Sequence, residues 1–197
     1  ALGDAYYLAL KVISNNNAKS IEEEALKIYL FNKGSGRNLL TVRECWLSTD
    51  RQYLFYTMDL ADHAVTHQPF PSDAPGTEYV ADTLQYRREH RSEPFTLDEI
   101  NEIVQGLLNG LQSLEDLQLV HRDVKLGNVV FLNTQPVLGD WGCLAKSGEE
   151  VYWRGTWSYI PRERRMNLTA ACQCKEDLYA LGEVIYLLCL VEKQYSK

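Results

Sequence analysis

Residues 119–128 read L-V-H-R-D-V-K-L-G-N, and Asp140 follows twelve residues after Asn128, inside G-D-W-G. No other stretch limits the chain so tightly. Asp123, then Lys125 two positions on, then Asn128 three beyond, are each ordinary loop residues when met singly. In this order, with Asp140 behind them, they offer two carboxylates and an amide oxygen suited to a hard cation, and an ammonium suited to a phosphate. Four such residues in one ordered pattern point to phosphoryl-transfer chemistry on a loop between short strands.

The flanking sequence supports that placement. Strand-like pieces cover residues 119–120, 129–132 and 136–138. Upstream, Thr96-Leu97-Asp98-Glu99 is a capping box, and Ile100, Ile103, Val104, Leu107, Leu108, Leu111 and Leu114 recur at helical spacing, so one long amphipathic helix is expected. Residues 6–13, rich in aromatic and β-branched side chains around Lys11, read as a strand, and two more are expected at 39–46 and 52–58. Ser20 caps an expected helix over 21–31, residues 32–37 form a turn, a short helix is expected within 80–90, and 177–190 reads as a buried helix. Residues 61–78 carry Pro69, Pro71, Pro75 and Gly76 with no hydrophobic period, which predicts a long loop. Its His63 and His67 sit among prolines, so no metal site is expected there.

A β-rich front and an α-rich back make this an α+β chain of two lobes, residues 1–60 and 61–197, with a ligand cleft between them. A net charge of −7 argues against nucleic acid as the main partner. Cys45, Cys143, Cys172, Cys174 and Cys189 are odd in number and irregularly spaced, which suits reduced thiols in the cytoplasm. The longest apolar run, 180–191, is too short to span a bilayer and includes Glu183, although a longer parent protein could be tethered to a membrane.

On these residues the chain resembles the Hanks-type protein kinases, most like bacterial Ser/Thr members, because Met58-Asp59-Leu60-Ala61-Asp62 is similar to their hinge. The resemblance implies ATP and Mg²⁺ as cofactors and a protein substrate with a Ser or Thr acceptor. It implies that Asp123 is the catalytic base, that Lys125 contacts the moving phosphate, and that Asn128 and Asp140 hold the metal. Thr156, in G-T-W-S-Y-I, docks the acceptor and touches both Asp123 and Lys125. Lys11 pairs with the nucleotide phosphates and with a helix glutamate, chosen as Glu24 because Ile28 and Phe31 lie four and seven residues on. Met58 is the gatekeeper, the Asp59 carbonyl and Ala61 amide meet the adenine edge, and Ala9 and Val130 sandwich the ring. Asp177, in D-L-Y-A-L-G, accepts from backbone N–H groups of the catalytic loop. Arg122 beside Asp123 is of the kind that pairs with a phosphorylated residue, for which Ser147 and Tyr152 are the candidates between Gly142 and Gly155.

Several departures shape the expectations. Trp141 replaces the usual Phe after Asp140, and Pro161-Arg162-Glu163 stands where A-P-E is usual. No glycine-rich loop precedes Lys11, Gly34-Ser35-Gly36 comes too late to serve as one, and the chain stops one helix after Glu163. The lobes are therefore read as incomplete, truncated at both ends, with weak ATP binding and low stability expected of the isolated chain. A pseudokinase-like interaction module and a small-molecule phosphotransferase stay open as alternatives, and the quaternary state is open as well.

Overall fold

The computed structural model describes residues 7–14, 37–69 and 78–190. The expected helix over 21–31, with Glu24, and the Gly34-Ser35-Gly36 turn lie outside the described residues.

Three antiparallel strands open the fold: β1 (Leu8–Ser14), β2 (Val42–Leu47) and β3 (Tyr53–Asp59), in the order β1-β3-β2. Strict alternation along β1 turns Ala9, Lys11 and Ile13 to the more covered face and Leu8, Leu10 and Val12 to the exposed one. The register places Ala9 opposite Met58 and Lys11 opposite Tyr56. The second strand starts later than its apolar run suggests. Leu39 leaves the sheet to bridge Leu138, and the Leu40 amide donates to the Leu138 carbonyl at 2.8 Å.

Helices α1 (Leu84–His90) and α2 (Leu97–Asp116) follow. The expected capping box closes both ways. Glu99 N donates to Thr96 Oγ1 at 3.2 Å, and Thr96 N donates to Glu99 Oε2 at 2.7 Å. Ile100, Ile103, Leu107, Leu111 and Leu114 form the buried stripe of α2. Gly106 interrupts it for a steric reason, since a Cβ there would lie 2.7 Å from Pro136 Cγ.

Strand β4 (Leu119–Val120) precedes the loop of the H-R-D string, and β5 (Val129–Leu132) and β6 (Gln135–Leu138) form a hairpin after it. β4 pairs with β7 (Ala145–Lys146), while β8 (Glu150–Tyr152) pairs with β9 (Thr169–Ala171). Helices α3 (Arg162–Met166) and α4 (Cys174–Cys189) complete the described part. α4 starts earlier than the apolar pattern indicated, where Gln173 N donates to Glu176 Oε2 at 3.3 Å. One apolar core runs from Leu54 and Tyr56 of the sheet through Leu107, Leu138 and Trp141 to Val184 and Leu188 of α4.

The described part of the expected loop over 61–78 carries no helix or named strand, and polar side chains anchor it. Ala61, Asp62, His63 and Ala64 are buried, and His63 bridges both Gln68 and Ala81. Asp62 accepts from Asn133 N at 3.0 Å and Thr134 N at 2.7 Å. These bonds secure the tight β5–β6 turn, whose two residues both have positive φ. His67 Nδ1 lies 2.8 Å from the buried Asp82 carboxylate, which Arg87 also grips with two hydrogen bonds. Prolines mask this anchoring in the sequence because it runs through polar side chains and leaves no hydrophobic period.

Candidate active site

The turn between β4 and β5 is held from beneath by one carboxylate. Asp177, at the start of α4, accepts from His121 N at 2.7 Å through Oδ2 and from Arg122 N at 2.8 Å through Oδ1. The anchoring matters because Arg122 sits at φ +71°. A non-glycine residue holds that left-handed conformation only under external constraint. Burial pushes the Asp177 carboxyl up to about 7 against the pull of those two N–H groups, and the Glu176 charge adds to the rise. His121 lies beneath the loop, fully buried. Its Nε2 donates to the Gly139 carbonyl at 2.9 Å and its Nδ1 accepts from Asp123 N at 3.2 Å. Burial also holds its pKa below the usual histidine value, which suits the neutral ring that this pattern requires.

Above this floor the Asp123 carboxylate is bracketed from three directions. Oδ1 accepts from Thr156 N at 2.8 Å and Thr156 Oγ1 at 2.7 Å. Oδ2 accepts from Lys125 Nζ at 2.7 Å and Asn128 Nδ2 at 3.0 Å. Lys125 also donates to Thr156 Oγ1 at 3.0 Å, so the expected contact of Thr156 with both Asp123 and Lys125 is present. Gly155 makes the approach feasible: a Cβ there would lie 2.1 Å from the Arg122 carbonyl.

Asp140 is the second carboxylate. Its Oδ1 lies 2.5 Å from Lys11 Nζ and accepts from Gly142 N at 3.3 Å. Burial disfavours both charges, yet the mutual hydrogen bond and attraction prevail, holding the Lys11 ammonium above and the Asp140 carboxyl below their ordinary pKa values. Lys11 reaches across 129 residues of sequence to join the sheet to the segment after β6. The sequence had suggested Glu24 as its partner, a residue outside the described set. Trp141 fills the apolar slot behind Asp140, fully buried. It meets His121 edge-on, with ring centroids 5.5 Å apart.

The donor set fits Mg²⁺. Asn128 spends its Nδ2 on the Asp123 carbonyl and carboxylate, which leaves the amide oxygen for a hard cation. Asp140 supplies a carboxylate, and Mg²⁺ binds through one or two such groups and completes its shell with water and phosphate. Among the described residues no cluster of three His, Cys, Asp or Glu side chains forms an all-protein metal cage.

The residues expected around adenine are only partly drawn together. Ala9 faces Met58 across the sheet, and Met58 and Val130 are both half-buried against the core. Tyr79 Oη donates to the Ala61 carbonyl at 3.1 Å, and Arg43 grips the Asp59 carboxylate at 2.6 and 3.0 Å. A cavity of about 740 Å³ opens here and is lined by Asp59, Leu60 and Leu132, though by none of Lys11, Asp123 or Asp140.

Among the ion pairs that the sequence reading missed, one is buried on both sides. Glu163 is exposed, and the buried pair is Arg164 with Glu176, at 3.4 Å. The adjacent charged residues of R-E-R-R carry no signal that distinguishes the buried one.

The family profile described as Protein kinase domain matches residues 2–197. Mitogen-activated protein kinase kinase kinase 8 of Rattus norvegicus is 34% identical over 91 residues, 44% of this chain and 19% of that protein. G-type lectin S-receptor-like serine/threonine-protein kinase SD1-1 of Arabidopsis thaliana is 26% identical over 195 residues, 93% of this chain and 21% of that protein. The chain thus spans about a fifth of the length of these curated relatives, both of them eukaryotic. Among solved structures, the yeast RNA Pol II CTD kinase CTDK-1 complex contains a chain that superposes with a TM-score of 0.69 at 19% identity. The match covers 92% of this chain and 54% of that one, and it shows a shared fold.

Proposed function

This chain belongs to the protein kinase domain family, and on that premise we propose that it transfers the γ-phosphate of Mg-ATP to Ser or Thr hydroxyls of a protein acceptor. The observation that carries the reading is the bracketing of Asp123 by Thr156, Lys125 and Asn128, with the Lys11–Asp140 pair alongside.

Asp123 orients the incoming hydroxyl and takes its proton late, as the oxygen–phosphorus bond forms and the bond to the ADP oxygen breaks. Lys125, already bridging Asp123 and Thr156, places positive charge where the moving phosphoryl group gathers negative charge. Lys11, paired with Asp140 beside the loop, binds the nucleotide phosphates. Asn128 and Asp140 would hold Mg²⁺, which when bound would supply charge neutralisation at the phosphates. Thr156 fixes the carboxylate's orientation, and Asp177 fixes the backbone that presents it.

The lobes are assigned to residues 1–60 and 61–197, supported by the end of β3 at Asp59. Five free thiols support a reducing, cytoplasmic setting. Likeness to bacterial members rests on the Met58 to Asp62 string alone. Among the described residues no helix is long and apolar enough to cross a membrane.

The test is transfer of radiolabelled γ-phosphate from Mg-ATP to the chain itself and to a basic acceptor protein, beside Asp123→Asn. Label that disappears in the variant supports the proposal. ATP binding with no label from either protein would point instead to a non-catalytic interaction module.

A further inference from the structure

Arg122 and Arg164 are both buried, at 4% and 3% exposure, and both donate to main-chain carbonyls. Arg122 Nη1 donates to Cys143 O at 3.2 Å and Nη2 to Tyr152 O at 2.5 Å. Arg164 Nη2 donates to Val151 O at 3.2 Å and Ala170 O at 2.8 Å. Consecutive carbonyls of β8 are therefore gripped by two different arginines. The buried ring of Trp153 lies 5.6 Å from the Arg122 guanidinium and 5.5 Å from that of Arg164. Both separations are within reach of a cation–π attraction. Glu176 supplies the counter-charge to Arg164.

From this clamp to the reacting carboxylate is a short path. Trp153 N donates to Leu168 O at 2.9 Å, Gly155 packs against the Arg122 carbonyl, and Thr156 reaches Asp123. Meanwhile the two modifiable side chains of the segment, Ser147 and Tyr152, are exposed. The Tyr152 carbonyl meets Arg122, whereas the residue is 63% exposed. The guanidinium suited to a phosphate is thus buried and engaged by backbone.

We propose that Arg164, Trp153 and Arg122 are positioning residues that hold Thr156, and through it Asp123, in working register with no phosphate on the segment between Gly142 and Gly155. The inference rests on the kinase reading and adds how the acceptor segment is set. Carbonyl oxygens do the work of phosphate oxygens, and the indole ring stands within cation–π reach of both guanidinium groups.

The full chain is freed of phosphate with a phosphatase, verified by intact mass, and assayed before and after preincubation with Mg-ATP. In parallel, amide hydrogen exchange is followed over residues 150–157. The expected result is a transfer rate unchanged within about two-fold, with slow exchange at Trp153 and Thr156 in the phosphate-free protein. A rise of about ten-fold or more that tracks phosphate on Ser147 or Tyr152 would overturn the proposal, as would fast exchange at both amides until phosphate is added. If neither preparation transfers phosphate, the kinase reading fails, while the exchange data still decide whether the segment is ordered without phosphate. Trp153→Ala should lower kcat for the protein acceptor about ten-fold and leave the KM for ATP unchanged. Trp153→Phe, which keeps an aromatic face, should stay within about three-fold. Equal losses in the two variants, or a matching rise in the KM for ATP, would refute the positioning role.

Discussion

Replacing Asp177 with asparagine removes one of the two oxygens that hold the H-R-D backbone and sets an amide NH₂ against a backbone N–H. An unsatisfied buried donor of this kind costs about 1–3 kcal/mol, so the wild type should lead where its own carboxyl is protonated. That lead shrinks with pH. The Asp177 pKa is raised by burial from 3.8 to about 7. The folded protein therefore keeps a proton through a window in which the unfolded chain has lost it. The stability this group contributes is complete below the unfolded value and is lost as pH rises through the folded one. Between about pH 5.5 and 8 the wild type gives up about 2 kcal/mol that the variant, which does not titrate there, does not. Urea unfolding of both proteins across that range measures the difference, and subtraction cancels other titrating groups. The two should approach parity at about pH 8, while phosphate transfer by Asp177→Asn stays low throughout because the His121 and Arg122 amides, which set the backbone before Asp123, have lost their anchor. A stability gap that is flat, or that widens with pH, would show that the N–H bonds outweigh burial and refute the reasoning.

Other perturbations separate chemistry from folding. The side chains of the Lys11–Asp140 pair are 32% and 43% exposed, so solvent screens much of their attraction. Lys11→Met should then cost no more than about 1 kcal/mol in urea unfolding while lowering kcat/KM for ATP roughly a hundred-fold. An unchanged kcat/KM would remove Lys11 from the site. Thr156→Val takes a donor from Asp123 and an acceptor from Lys125. It should reduce transfer about 10- to 100-fold, with Thr156→Ser within about three-fold. Equal rates for the two would deny the hydroxyl its role. Gly155→Ala drives a methyl group to 2.1 Å from the Arg122 carbonyl. The change should lower stability by about 1–3 kcal/mol, read as a fall in Tm alongside lost transfer. A variant that melts like the wild type would mean that the loop yields there.

What the sequence determined by itself was whatever is local or ordered along the chain. The Thr96–Glu99 capping box and the apolar stripe of α2 follow from helical spacing, and the aromatic and β-branched run of residues 6–13 marks the strand that carries Lys11. The order Asp123, Lys125, Asn128, Asp140 was legible because closely spaced loop residues meet with little help from the rest of the fold. Thr156 and Asp177 were legible through the family resemblance, since only that supplies their distant partners. Tertiary structure alone decided which of several identical charges is buried and what it faces. Asp140 as the partner of Lys11, Glu176 as the partner of the buried Arg164, and Leu39 bridging Leu138 all join segments separated along the chain. The strands β7, β8 and β9, two or three residues each, are too short to carry a period of two. Arg122 makes the point most plainly. Its sequence neighbours mark it as a phosphate receiver, yet packing surrounds its guanidinium with carbonyls and an indole ring, because a buried cation takes the nearest fixed oxygens that the fold supplies.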